Sequence, residues 1–411
     1  MRIALFTETF IPKVDGIVTT LCQTVKQLKG LGHDVLIIAP EGGVTEYEQC
    51  RIVGIRGHAL PLYPELRLSF PQASIRRILD DFQPDVIHAV EPILLGIAAL
   101  YYARSTGDGF RVPLLISYHT DLPKYLAYYK LGLIEPYIWP LLRMRHNRAA
   151  VNLCTSETMV RQLRDHGIAR VALWPGAVDT GRFQPAFRSE AMRARLSQGH
   201  PESPLLLYVG RLSPEKEIER ILPVLRAVPQ ARLALVGDGP HRRALQKHFA
   251  GFPAFMAGFL HGDELAAAYA SSDIFIMPSP TETLGLVVLE AMASGLPVVA
   301  ARAGGIPDII NDGTSGFLFD DTAQATTTVQ RLVSNPQLRE SVSHAAREAA
   351  LNRNWEAATD QLVEHYQAAC AMWHTAPALL TAPTEERPGL SFFARQALGA
   401  ATFFALRKLL E

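Results

Sequence analysis

Short apolar runs separated by helix-like stretches recur along the whole chain, and this alternation limits the fold more than any other feature. Ile3 to Phe6, Val35 to Ala39, Val86 to His88, Leu114 to Ser117 and Val151 to Cys154 are apolar runs of strand length. Continuous hydrophobicity marks strands covered on both faces, which requires parallel pairing with crossover helices. The pattern then repeats in Leu205 to Val209, Leu233 to Val236, Ile274 to Met277 and Val298 to Ala300. A chain of 411 residues is long for a single core, so the two series predict two α/β domains. We assign residues 1–180 to an N-terminal domain and 186–354 to a C-terminal one, with the turn-rich Val178 to Pro185 as hinge. Each is expected to be a doubly wound, Rossmann-like unit, the two facing across a cleft at the carboxyl ends of their strands, where ligands bind.

The 40 basic and 40 acidic side chains cancel, so no overall field draws the chain to nucleic acid. Cys22, Cys50, Cys154 and Cys370 are dispersed, which argues against a zinc site or a disulfide framework. The N-terminus lacks the apolar core of a leader peptide, and no apolar run reaches the roughly 18 residues of a membrane span. A cytoplasmic protein is expected, touching a membrane only through a local patch. Residues 355–373 predict an amphipathic crossover helix and 374–389 a Pro- and Thr-rich linker. Residues 390–411 predict a tail helix with a wide apolar face of Phe392, Phe393, Leu398, Phe403, Phe404 and Leu409. Such a helix either docks on the protein's own surface or anchors it peripherally at a bilayer interface.

The richest stretch for chemistry is Thr281-Glu282-Thr283-Leu284-Gly285-Leu286-Val287-Val288-Leu289-Glu290. Backbone amides at Gly285, Leu286 and Val287 open a helix, where unpaired N–H groups and the helix dipole suit a diphosphate. Glu290, two turns on, can accept hydrogen bonds from ribose hydroxyls, and Glu282 in the preceding loop can reach the sugar. Arg211 and Lys216 follow the strand Leu205 to Val209, which puts two cations on the cleft side. Fixed cations can stabilise the charge that develops on a departing nucleoside diphosphate. The sequence has no Asp-x-Asp pair for a metal, so no metal or other cofactor is expected. Gly237 lies in a tight turn after the next strand, where a missing side chain would let backbone approach the nucleotide. In the first half, Asp15 and Gly16 lie between the first strand and a helix, in place for a phosphate or sugar contact. His119 ends the fourth strand, where it can donate to a sugar hydroxyl or steady charge at the reacting centre.

Residues 119 to 148 interleave Tyr125, Tyr128, Tyr129 and Trp139 with Lys124, Lys130, Arg143, Arg145 and Arg148. This is either a core helix with a basic outer face or a contact for acceptor and anionic bilayer; the aromatic runs beside His119 favour the second.

Taken together, Glu282 and Glu290, Gly210 to Lys216, and Gly304-Gly305-Ile306-Pro307-Asp308 resemble retaining glycosyltransferases of the GT-B fold, family 4. Longer strings, Ala4 to Phe10, Pro12 to Val18, Leu60 to Leu66, Ser117 to Thr120, Met192 to Ser197 and Pro297 to Ile310, resemble the sulfoquinovosyldiacylglycerol synthases of cyanobacteria and chloroplasts. The resemblance implies transfer of sulfoquinovose from its UDP derivative to diacylglycerol at an inner or thylakoid membrane, with retention at the anomeric carbon. It implies that Arg211 and Lys216 hold the diphosphate, Glu290 the ribose, Glu282 the sugar, and that His119 serves the reacting centre. One position departs from the pattern: Trp174-Pro175-Gly176-Ala177-Val178-Asp179 has glycine where a Lys or Arg is expected. If that cation meets the sulfonate, the donor becomes UDP-glucose or UDP-glucuronate, unless Lys13, Lys124 or Arg302 compensates. A mannosyl donor is a further alternative within the family.

Overall fold

The computed structural model describes residues 1–60, 63–69, 72–103, 112–128 and 135–375. The proposed linker beyond Thr375 and the tail helix lie outside the described residues. Among the described residues, ten strands form in the first half: β1 (Arg2–Thr7), β2 (Asp34–Pro40), β3 (Glu46–Tyr47), β4 (Cys50–Ile55), β5 (Gly57–Leu60), β6 (Tyr63–Ser69), β7 (Val86–Val90), β8 (Leu114–Tyr118), β9 (Val151–Cys154) and β10 (Val171–Leu173). Eight of them make one sheet in the order β10-β9-β8-β7-β1-β2-β4-β3, while β5 and β6 pair with each other. Apart from the antiparallel β3–β4 edge, the large sheet is parallel.

The second half builds a six-stranded parallel sheet from β11 (Leu205–Val209), β12 (Arg232–Val236), β13 (Ala254–Gly258), β14 (Ile274–Met277), β15 (Val298–Ala301) and β16 (Phe317–Phe319), in the order β13-β12-β11-β14-β15-β16. All nine strands expected from apolar runs are present, in parallel pairing. In the two large sheets β3, β4, β10, β13 and β16 escaped that criterion for a physical reason: they are edge or near-edge strands that are short or only half covered. β16 spans three residues, and every residue of β13 is half-buried.

Side-chain alternation along β1 shows how a parallel sheet is sealed on two faces. Ile3 and Leu5 pack with Leu21, Val25 and Leu28 of the helix Gly16–Gly30, and with Leu362, Tyr366 and Ala369 of Trp355–Thr375, the final helix among the described residues. Ala4 and Phe6 pack on the opposite face with Ile75, Leu79, Leu95 and Ala99. The chain therefore returns after its second sheet to cover the first. Trp174 Nε1 donates to Ala358 O at 3.1 Å and His365 Nε2 to Leu173 O at 2.9 Å, fixing that return. Between the sheets, Asp179 Oδ1 accepts from the amides of Gly181 and Arg182 at 3.1 and 3.0 Å, a local turn closed by its own side chain. Among the described residues no helix is long and apolar enough to cross a membrane.

Candidate active site

The carboxyl ends of the two sheets meet. The helix Gly16–Gly30 begins at Asp15, whose carboxylate accepts from the Val18 amide at 2.9 Å and pairs with Lys13 at 2.9 Å. A Cβ on Gly16 would lie 3.5 Å from Leu286 Cδ1, so this helix start faces the start of the helix Leu286–Ala293 across the cleft. Gly285 caps that second helix in the left-handed region, φ 76°, and offers no side chain to the first amides. The amide end is left for another acceptor.

The loop between β14 and that helix carries Glu282 and docks on the first domain. The Thr283 hydroxyl donates to the carbonyl of His119, and the Thr283 carbonyl accepts from the Thr155 hydroxyl at 3.1 Å. Glu282 Oε1 lies 2.5 Å from Lys216 Nζ, and less than a fifth of either side chain is exposed. The Gly305 amide holds the Glu282 carbonyl at 2.8 Å, which fixes the loop from behind. Lys216 closes the short 3-10 turn Pro214–Lys216 after β11, and Arg211 sits half-buried at the strand end, where its carbonyl accepts from the Tyr208 hydroxyl at 3.1 Å. Lys216 thus meets, through Glu282, the loop that docks on the first domain.

Glu290 lies one turn beyond Leu286 in the same helix. Its Oε2 accepts from the Tyr269 hydroxyl at 2.7 Å, and burial raises its pKa to about 7. His119 is buried at the end of β8 with its ring edge-on to Trp174, centroids 5.7 Å apart. Burial lowers its pKa to about 4, so the imidazole is neutral near pH 7 and acts through hydrogen bonds rather than charge.

Some sequence readings change in the structure. Gly237 has φ 128°, and a Cβ there would overlap the carbonyl oxygen of Gly210. The approach that requires glycine is between two loops of the protein, not only between backbone and nucleotide. Tyr128 spends its hydroxyl on Glu217 Oε1 of the second domain at 2.8 Å, and Trp139 stacks on His166 with centroids 3.6 Å apart. Both are half-buried, as is Lys124. Tyr125 belongs to the helix Leu122–Tyr128, and Tyr129 falls outside the described residues. At Gly176 a Cβ would overlap Leu284 Cδ1, so the leucine fills the space where the family pattern has a cation's stem. Of the three substitutes considered, Arg302 is held by Asp312 at 2.5 Å and Asp320 at 3.4 Å, and Lys13 by Asp15.

Sequence reasoning missed Thr283 as the inter-domain clasp and Tyr269 as the partner of Glu290. It also missed two buried carboxyls near the first-domain loops. Glu8 accepts from the Leu94 and Gly96 amides at 2.6 and 3.1 Å, while Glu91 has one buried oxygen without a partner. Burial raises both to about 7. No local signal marks such groups, because their environment comes from distant segments.

Two doubly wound domains with cations, a bare helix start and buried carboxylates where their strand ends meet define a glycosyltransferase of the GT-B fold. The family models agree, with Glycosyltransferase Family 4 matching residues 14–182 and Glycosyl transferases group 1 matching residues 193–349. A sulfoquinovosyl transferase of Arabidopsis thaliana is 41% identical over 386 residues, covering 90% of this chain and 74% of the relative. A GDP-mannose-dependent alpha-mannosyltransferase of Corynebacterium glutamicum is 33% identical, covering 98% of this chain and 97% of the relative. An alpha-monoglucosyldiacylglycerol synthase of Streptococcus pneumoniae is 28% identical over 83% of this chain and 80% of its own length. In fold alone, the chain matches sucrose-phosphate synthase of Thermosynechococcus elongatus with TM-score 0.73 at 21% identity, covering 90% of this chain and 99% of the other. The chain belongs to glycosyltransferase family 4.

Proposed function

We propose that this enzyme transfers sulfoquinovose from UDP-sulfoquinovose to diacylglycerol at a membrane surface, with retention at the anomeric carbon. The observation that carries this reading is Lys216 Nζ on the Glu282 carboxylate, half-buried where the two strand-end loops meet. The likeness to the sulfoquinovosyl transferase supports the choice of donor and acceptor. In this reading Arg211 and Lys216 hold the diphosphate together with the amides of Gly285, Leu286 and Val287. Glu290 receives the ribose, Glu282 a sugar hydroxyl, and the Asp15–Gly16 and Gly237 turns border the donor. Lys124, Tyr125, Tyr128, Tyr129 and Trp139 are read as the residues of the first domain that contact acceptor and bilayer. The bond from the anomeric carbon to phosphate oxygen breaks as the bond to the acceptor oxygen forms on the same face. The acceptor's proton passes to the departing phosphate, so neither glutamate serves as nucleophile.

A second reading, glucosyl transfer to a lipid acceptor, is favoured by one observation: Leu284 fills the space beside Gly176 where a sulfonate-binding cation is expected. Calorimetry with UDP-sulfoquinovose, UDP-glucose, UDP-glucuronate and GDP-mannose separates the readings, and heat with UDP-glucose alone would reject the first. Lys216→Ala is expected to lower turnover by about 10²–10³, the scale of one lost stabilising group at a developing anion, with or without a chelator. Undiminished turnover of both Lys216→Ala and Arg211→Ala would remove the cations from the mechanism.

A further inference from the structure

Behind His119 lies a file of buried side chains, Ser117, His88 and Tyr366, to which the family reading assigns no role. Tyr366 Oη is 2.8 Å from His88 Nδ1, His88 Nε2 is 2.9 Å from Ser117 Oγ, and Ser117 Oγ is 2.9 Å from His119 Nε2. Tyr366 and His88 are wholly buried and Ser117 is 1% exposed, so bulk solvent does not reach the file. The Trp174 ring stands edge-on to both imidazoles, at 5.8 and 5.7 Å, and holds them in place.

The protons in this file have one consistent direction. Tyr366 stays protonated, because burial pushes its phenol far up, and its single O–H must be donated. The acceptor within reach is His88 Nδ1. Burial lowers the pKa of His88 to about 3, so the ring is neutral and carries its one proton on Nε2. That N–H donates to Ser117 Oγ, and the serine's own proton then points to His119 Nε2. His119, also neutral, is left with its proton on Nδ1, the nitrogen not engaged by Ser117. The opposite polarity would leave the Tyr366 proton buried without an acceptor among the described residues, at a cost of about 1–3 kcal/mol.

We propose that Tyr366, acting through His88 and Ser117, is a positioning residue that fixes His119 as the Nδ1–H tautomer, so that it presents an N–H donor to substrate oxygen. The inference rests on the proposed role of His119, and it adds that the final helix, arriving after the second domain is complete, sets the chemistry of the first. A tautomer reversed at a site of this kind loses its donor without losing its shape.

Histidine-labelled full-length protein, with ¹⁵N shifts read by long-range ¹H–¹⁵N correlation and the His119 signals assigned by their loss in His119→Gln, tests this. The wild type is expected to show neutral His119 protonated on Nδ1. Tyr366→Phe and Ser117→Ala should each move His119 toward the Nε2–H pattern. At saturating UDP-sulfoquinovose with diacylglycerol vesicles, kcat should fall by at least about tenfold with KM little changed. Should Tyr366→Phe fail to fold, Ser117→Ala carries the same tautomer test. An Nε2–H pattern in the wild type, or unchanged His119 nitrogens in the folded variants, overturns the proposal. A shifted tautomer with full turnover supports the file of hydrogen bonds while removing His119 from the chemistry.

Discussion

Glu290 lies beneath the cleft with one oxygen taken by Tyr269, and its carboxyl, raised by burial to about 7, is half-protonated near neutrality. Ribose hydroxyls donate to a carboxylate better than to a carboxylic acid, so under the proposed reading nucleotide binding pulls a proton off Glu290. Affinity for UDP should therefore rise with pH up to about 7 and level off above it, and Glu290→Gln should bind weakly without that slope; calorimetry across pH 5.5–8 reads both. The same shift bears on stability. Between the ordinary value of 4.5 and about 7 the folded state of Glu8, Glu91 and Glu290 keeps protons that the unfolded chain has lost. Taken alone, these three groups make stability fall as pH rises through that window, by about 3 kcal/mol each. His88, His119 and His146, lowered by burial to about 3, 4 and 4, act in the opposite sense below their ordinary value of 6.5, because there the unfolded chain takes up protons that the folded state refuses. From about pH 6.5 to 7.5 the carboxyls outweigh the histidines, so the melting temperature should fall over that interval, and a rise there would contradict this account.

At the scale of elements, the helix Leu286–Ala293 shows why its start is built as it is. Gly285 has φ 76°, and a Cβ there would meet Ile306 Cδ1 at 2.5 Å. Gly285→Ala is expected to lose about 1–3 kcal/mol of stability and to weaken nucleotide binding, because the helix start must shift. Urea titration of the variant gives the first quantity and calorimetry with UDP the second. This helix was legible in the sequence because its markers are local: a glycine, an apolar run and two glutamates at a fixed spacing. The buried central strands were legible for the same reason, since burial on both faces leaves an apolar run. The short edge strands β3, β10 and β16 leave no such record, being defined by the neighbour they join. The file from Tyr366 to His119 was illegible because His88 and Tyr366 stand 278 residues apart and meet only once the final helix has returned.

For the molecule as a whole, the question is what holds two separately built sheets together over a reactive donor. Across the cleft, Thr283 clasps the His119 carbonyl and receives Thr155, Tyr128 donates to Glu217, and Asp308 Oδ2 accepts from the Thr158 amide at 2.8 Å. Each of these bonds is worth about 1 kcal/mol, which suits an interface that must open for exchange of substrates. Removing one should shift the balance of closed and open forms by about fivefold without disturbing either core. Thr283→Val is therefore expected to keep the melting temperature and to show a larger radius of gyration by small-angle scattering in the presence of UDP. Closure also excludes water, so the variant should hydrolyse donor in the absence of acceptor several times faster, relative to transfer, than the wild type. Because Thr283 follows Glu282 and touches His119, the residue after β8, one substitution tests whether the clasp guards the reaction or only joins the lobes. An unchanged ratio of hydrolysis to transfer, with the lobes shown to open, would leave the clasp a purely structural bond.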